Sequence, residues 1–367
     1  MAHQIITADQ TDTTTLTHVN VPPAQTWNYL RINDTSFEVP VPHFVGDVYA
    51  RLPQLFGHVE CGIGEEAVTW ICRAAGDARY IEVRDDDHEP IYVDVDASKT
   101  EVHDTGVLVR AGAHATIVTC AHGEGGNTSA ALLRVVAERD ARVSIIEIVA
   151  CGAGQQHLDA VGIDAGEGAR IEMRQYALGG AKVALGLCCN LAGASSRFAL
   201  DSRYLAAGND VLDVNHVVRQ RGRSTRADIV TTGILADAAR KTMRETIDLV
   251  HGAKFAEGSE IETVLVTGDD VVNKTLPVIL CDEEDVAGNH GASIGAISPE
   301  QLAFVRSRGL SEEQAEQLFA RAIFDDALIH AGNPGARSAV LARAAVVLGE
   351  EVAQDIAEVL GFDEEVA

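Results

Sequence analysis

Ala113-His114-Ala115-Thr116-Ile117 decides the fold, because the same arrangement keeps returning. It reappears as Ala141-Arg142-Val143-Ser144-Ile145, Ala169-Arg170-Ile171-Glu172-Met173, Ser196-Arg197-Phe198-Ala199-Leu200 and Thr225-Arg226-Ala227-Asp228-Ile229, with a weaker sixth copy at Ala253-Lys254-Phe255. The copies begin at 113, 141, 169, 196, 225 and 253, a spacing of 27 to 29 residues. Each reads small, basic, apolar, any, apolar. Between copies lie short apolar or alternating runs broken by Gly-rich turns such as ACGAGQ and AAGND. Those are signals of strand and turn, and a fixed period of this length marks a repeat architecture. One turn of such a chain cannot bury its own apolar face, whereas turns stacked about 4.8 Å apart bury a continuous core. The pattern predicts a mainly β chain, a parallel β-solenoid with rungs of about 28 residues and two or three short strands per rung.

The third position of the pattern (Ala115, Val143, Ile171, Phe198, Ala227, Phe255) is expected to form an inward ladder. The second (His114, Arg142, Arg170, Arg197, Arg226, Lys254) is expected to form an outward basic stripe. Stacked like charges repel, so acids nearby must offset them, and Glu172 and Asp228 are the candidates. HGEGGN, residues 122–127, is Gly-rich but lacks the Lys and Ser/Thr of a phosphate loop, and reads as a turn.

Outward from the repeat, YIEVRDDDHEPIYVDVDASKTEVH supplies strand signals that start the solenoid near residue 80. Residues 21–60 carry Pro, His and aromatics and argue for an extended arm rather than a long helix. Beyond Ser298 the signal turns helical. Ser298-Pro299-Glu300 opens one helix with Leu302, Val305 and Leu310 on its apolar side, and Ser311-Glu312-Glu313-Gln314 is a capping box for a second. Past Gly332-Asn333-Pro334-Gly335 a third amphipathic helix is expected through ARSAVLARAAVVLGEEVAQDIAEVL. The expected organisation is an irregular N-terminal arm over 1–79, a β-helix core over 80–297 and a helical region over 298–367.

Composition narrows the function. With 55 Asp and Glu against 29 Lys and Arg, the net charge of −26 disfavours nucleic acid and anionic lipid as partners. The 7 cysteines contain no CxxC pair, so neither a disulfide framework nor a standard zinc or cluster spacing is present, and most should be small buried hydrophobes. Cys188 and Cys189 are adjacent, hence on opposite faces of a strand and unable to share a metal. The opening MAHQIITADQTDTTT lacks a basic stretch followed by an apolar one, and no run approaches a membrane span, so the cytoplasm is expected. P-loop, GxGxxG, GxSxG and HExxH signatures are all missing.

The segment Asp285-Val286-Ala287-Gly288-Asn289-His290-Gly291-Ala292-Ser293-Ile294-Gly295, followed by Phe304-Val305-Arg306-Ser307-Arg308-Gly309-Leu310, resembles the hallmark run of the SufB/SufD family. Asp213-Val214-Asn215-His216-Val217-Val218-Arg219 and VTGDDVVNKTLPVIL (266–280) are similar to further stretches of that family, KTMRETI (241–247) more loosely, and Trp27 and Tyr29 resemble its W-x-Y pair. The HGA run, in place of the Cys-Glu-His-Glu of SufB-like chains, is most like SufD. Gly288 and Asn289 stand where the family often has Cys or Ser, so no thiolate is supplied there.

The resemblance implies a right-handed parallel β-helix with a helical C-terminal region. It also implies a non-catalytic scaffold subunit for iron–sulfur cluster assembly. Such a subunit pairs with a SufB-like subunit and docks a SufC-like ATPase through the C-terminal helices; separately, unpaired solenoid edges make a homodimer of the isolated chain an expectation. No cofactor is expected to stay on the lone chain; a transient iron–sulfur cluster would form at the SufB–SufD interface. His290 is the implied metal and cluster ligand, shared with a partner-subunit Cys, which suits iron because imidazole holds a cluster less tightly than thiolate. His216 and Cys281 are lesser candidates, otherwise a polar residue capping a rung and a core thiol. Two other readings are a SufB-like scaffold that itself holds the nascent cluster and a β-solenoid carbohydrate-active enzyme. The latter needs a column of convergent acids that the repeat does not show.

Overall fold

The structure, a computed structural model, describes residues 12–23, 31–33, 35–42, 50–85, 89–295 and 299–362. Trp27, Tyr29 and Ser298 lie outside the described residues. From Arg79 to Gly295 the chain winds through eight turns, each contributing one strand to each of two eight-stranded sheets. One sheet holds β3 (Arg79–Val83), β5 (Val102–Val109), β7 (Thr128–Ala137), β9 (Gln156–Ala165), β11 (Lys182–Leu191), β13 (Val211–Gln220), β15 (Arg240–Leu249) and β17 (Val272–Cys281). The other holds β4 (Ile91–Asp96), β6 (His114–Gly123), β8 (Arg142–Cys151), β10 (Arg170–Gly179), β12 (Arg197–Ala206), β14 (Arg226–Ala236), β16 (Glu257–Thr267) and β18 (Ala287–Gly295). Every strand pairs in parallel with the strand one turn away, so the expected β-solenoid stands, with two strands per rung.

Register explains the repeat. Val143, Ile171, Phe198 and Ala227 are successive partners and all are buried inside the solenoid. The residue before each small residue forms the corner, and there the backbone turns left-handed: Gly112, Asp140, Gly168, Ser195 and Ser224 all have positive φ. Each corner amide donates to the corner of the next rung, as Asp140 to the Glu167 carbonyl (2.8 Å) and Ser195 to Arg223 (2.8 Å). The sixth corner is Phe255, at φ 63°.

The sixth copy therefore corrects the sequence reading. Arg226 pairs with Glu257 and Ala227 with Gly258, so three extra residues precede the strand. Phe255 is 57% exposed at a corner rather than in the inward ladder. Lys254 leaves the basic column and sits near Asp285 (3.7 Å). The acid that meets the column is Glu257, ion-paired with Arg226, rather than Glu172 or Asp228.

Both outer faces of the solenoid are partly covered. Four C-terminal helices follow the last rung: α2 (Pro299–Ser307), α3 (Glu312–His330), α4 (Pro334–Leu348) and α5 (Glu350–Leu360). The Ser311–Gln314 capping box is formed as expected. The expected third helix is two, because Gly349 at φ 98° ends α4 and begins α5. Ile323, Phe324, Ala327 and Leu328 of α3, with residues of α4 and α5, bury Val118, Ile148, Tyr176 and Leu178 on the outer face of the β18–β4 sheet. Tyr176 donates its hydroxyl to Asp326 (2.6 Å).

On the opposite sheet, β1 (Thr13–Leu16) and β2 (Phe37–Pro40) form an antiparallel pair over Ala130, Leu132, Leu158 and Ala160. They are joined there by α1 (Glu65–Ala74), which the reading of an irregular arm did not foresee. Its signal was present: Ala67, Trp70, Ile71 and Ala74 recur at helical spacing behind Glu65 and Glu66. The arm is tied down by buried charge. Arg244, fully buried, donates to Asp213 (2.7 Å) and to the Ile32 carbonyl, and Asn20 donates to the same carboxylate (3.0 Å).

Three substitutions test this account by urea denaturation. Phe198→Ala should cost about 3–5 kcal/mol. Phe255→Gly should stay within about 1 kcal/mol of the parent, because relief of the left-handed backbone offsets the lost stacking of Arg223 on the ring. Arg244→Ala should cost about 3–5 kcal/mol by leaving Asp213 buried without its counter-charge.

Candidate functional site at the open end of the solenoid

Among the described residues β17 has a strand neighbour only in β15, and β18 only in β16, so the last rung presents two unpaired edges. Its interior is also open: Ile279 and Val286 lie against the core but are only partly buried. His290 is in β18. Side chains on a strand alternate between faces, and register places His290 above Glu260, Ile229, Leu200, Met173 and Ile145. This is an inward column, buried and aliphatic until its last two members. His290 therefore faces the solenoid's interior, and its side chain is 48% exposed because no rung follows.

Beneath it, Glu260 is almost wholly buried, with its Oε1 3.7 Å from His290 Nδ1. Neither Glu260 oxygen makes a hydrogen bond. Burial pushes its carboxyl up to about 9, with the charge of Glu245 and then that of Glu262 adding to the shift and the Val278 amide pulling the other way. Glu262, two residues on, is ion-paired to buried Lys241 and accepts the Tyr204 hydroxyl (2.9 Å).

The interior behind this end is partly polar. His216 is fully buried, with Nε2 3.0 Å from Gln175 Oε1 and Nδ1 3.3 Å from Glu245 Oε1. Gln175 in turn donates to Glu147 (3.0 Å) and accepts from Ser202 (2.8 Å), and Thr231 donates to Glu245 (2.7 Å). Both His216 nitrogens are engaged, so it is an internal linking residue with no nitrogen open to a metal. A second buried group, Ser129, His157 and Asp159, lies further down, where burial drops the imidazole to about 3 and raises Asp159 to about 7.

The cysteines separate by burial. Cys189 lies in the inner core, and Cys188, also buried, projects to the other face of β11. Cys120 and Cys151 are buried as well. Cys281 is exposed at the end of β17, its Sγ donating to the Glu283 carbonyl (3.2 Å), and not a core thiol. Among the described residues no three His, Cys, Asp or Glu converge as a metal cage. No described helix is long and apolar enough to cross a membrane.

Of the sequence-derived candidates, the structure brings His290 to an open, edge-lined end and places His216 deep inside. Glu260 and Glu262 were missed. Registering the sixth copy on its corner residue, three positions later than the pattern suggests, makes Glu260 visible as a break in an aliphatic column and Glu262 as the next member of the polar column Glu147, Gln175, Ser202 and Thr231.

Residues 92–323 match the SUF system FeS cluster assembly, SufBD core domain. The iron-sulfur cluster assembly protein SufD of Bacillus subtilis is 32% identical over 97 residues, 26% of this chain and 22% of that protein. SufD of Escherichia coli is 25% identical over 168 residues, 46% of this chain and 40% of that one. The SufBD family protein ML0594 of Mycobacterium leprae is 24% identical over 245 residues, 62% of each. The chain thus spans less than two thirds of the length of these relatives. A core-domain match over more than half of the chain, carried on the solenoid that ends in His290, makes it a SufD-like member of the SufBD family of iron–sulfur cluster assembly proteins.

Proposed function

We propose that the chain is a non-catalytic scaffold subunit that joins a SufB-like subunit across the free edges of β17 and β18 and presents His290 to a nascent iron–sulfur cluster at that junction. One observation carries the reading: among the described residues, the inward column reaches the surface at an imidazole, in a strand whose outer edge is unpaired. Unpaired edges are a liability unless another strand covers them. Strand addition would extend both sheets into a sister solenoid and bring its side chains over the open interior. Pro277 sits in β17, where an edge position tolerates a residue without an amide hydrogen. The same edges would support a homodimer of the chain when no sister subunit is present.

A nucleotide-driven partner of SufC type is assigned to the outward side of α2 and α3. Phe304 (58% exposed) on α2 and Leu318 (52%) on α3 are exposed, as are Phe319 and Ile329 of α3. The inward side of α3 is already occupied by the β18–β4 sheet. Removing residues 298–330 would therefore strip the solenoid as well as any docking face, and only surface substitutions separate the two effects.

His290→Ala should leave thermal unfolding unchanged and lower cluster formation on the assembled complex by about tenfold or more, followed by the rise of visible absorbance. Assembly at the parental rate would remove His290 from the site. Leu318→Asp combined with Phe304→Asp should abolish co-purification with the ATPase subunit while leaving the circular dichroism spectrum intact. Retained co-purification would move the docking face elsewhere.

A further inference from the structure

The column that ends in His290 is aliphatic over five successive rungs, Ile117, Ile145, Met173, Leu200 and Ile229, and then becomes Glu260. A sixth aliphatic side chain would complete the core at no cost. A carboxyl that is 1% exposed, with neither oxygen hydrogen-bonded, lies at the opposite extreme, since burying an unsatisfied polar group costs on the order of 1–3 kcal/mol. Its neighbours do not explain it. Lys241, the nearby buried cation, is committed to Glu262, Tyr204 and Thr275. Arg226 and Lys254 are engaged on the outer surface with Glu257 and Asp285. What Glu260 faces is the imidazole of His290, open on its other side to solvent.

The distance between them fits a shared ion. Nitrogen and oxygen donors each about 2.1 Å from one first-row metal stand about 3 Å apart when adjacent and about 4.2 Å apart when opposite. Glu260 Oε1 and His290 Nδ1 are 3.7 Å apart, inside that range and beyond a hydrogen bond. An imidazole and a carboxylate together suit borderline divalent ions such as ferrous, cobaltous or manganous ions.

We propose that Glu260 and His290 form a two-residue binding site for a divalent first-row metal ion at the mouth of the solenoid, with water filling the remaining positions in the lone chain. The site deepens the role given to His290 above and rests on that reading for its purpose, which is to hold ferrous iron as cargo where the cluster is built. Two protein donors make it a weak site, so the ion exchanges readily.

The test uses the full-length, metal-free chain titrated with cobalt(II) and followed by visible absorption. The parent should take up one ion per chain, reversibly on adding chelator. Glu260→Gln and His290→Ala should each weaken binding by about tenfold or more. Glu260→Ile, which restores the aliphatic column, should fold at least as stably as the parent and still lose the ion, separating ligation from structure. Glu257→Gln, on the outward face of the same strand, should bind as the parent does. No saturable cobalt in the parent, or equal affinity in the Glu260 variants, overturns the site. Lost cobalt in both variants with normal cluster assembly in the His290→Ala complex would keep the metal site and remove the proposed function. Normal cobalt affinity in Glu260→Gln with failed assembly in His290→Ala would do the reverse.

Discussion

Parallel, in-register stacking of one rung on the next is the constraint on which every other feature rests. Main-chain hydrogen bonds hold neighbouring strands about 4.8 Å apart, and they align Val143 with Ile171, Phe198 and Ala227 without slippage over several turns. A one-residue shift would move a whole strand's apolar set to the outside. Each column is thus a single environment shared by residues 27 to 29 apart in sequence. The corner hydrogen bonds, repeated from Gly112 through Phe255, lock the same register at the turns.

A stack of this kind covers its own interior but not its outer faces or its ends. The β18–β4 sheet is covered by α3, α4 and α5, and the opposite sheet by the N-terminal arm and α1. Arg244, the Asp213 carboxylate and the Ile32 carbonyl fasten that arm across the rungs. Among the described residues no strand stacks on the last rung. Its edges are unpaired and its interior column stops at an imidazole, so the place where the fold is least self-sufficient is also where its ligand-capable side chain stands. Geometry and incompleteness coincide there: a sister strand that satisfied the edges would also close over His290 and Glu260.

Polar residues inside the solenoid follow the same logic. His216, Gln175, Glu245, Ser202 and Thr231 satisfy one another across the gap between the two sheets. Buried networks of this kind are tolerable only when their members are paired. Glu260, toward the mouth, is a buried carboxyl with neither oxygen hydrogen-bonded.

The repeat, its period, the inward position of the third residue through Ala227, the capping box at Ser311 and the family resemblance centred on His290 were all legible in the amino-acid sequence. Each depends on local chemistry or on a spacing that recurs. Three matters were decided only by the folded chain. Phe255 left the inward ladder because an insertion is absorbed at a corner, and a corner is recognised by its backbone angle and its bond to the next rung, neither of which residue types reveal. Gly349 split a helix that its flanking apolar spacing would have continued, because a left-handed glycine ends one helix and starts another. Glu260 became a neighbour of His290 across thirty positions through strand register alone. Sequence determines which residues can share a column; only stacking determines which ones do.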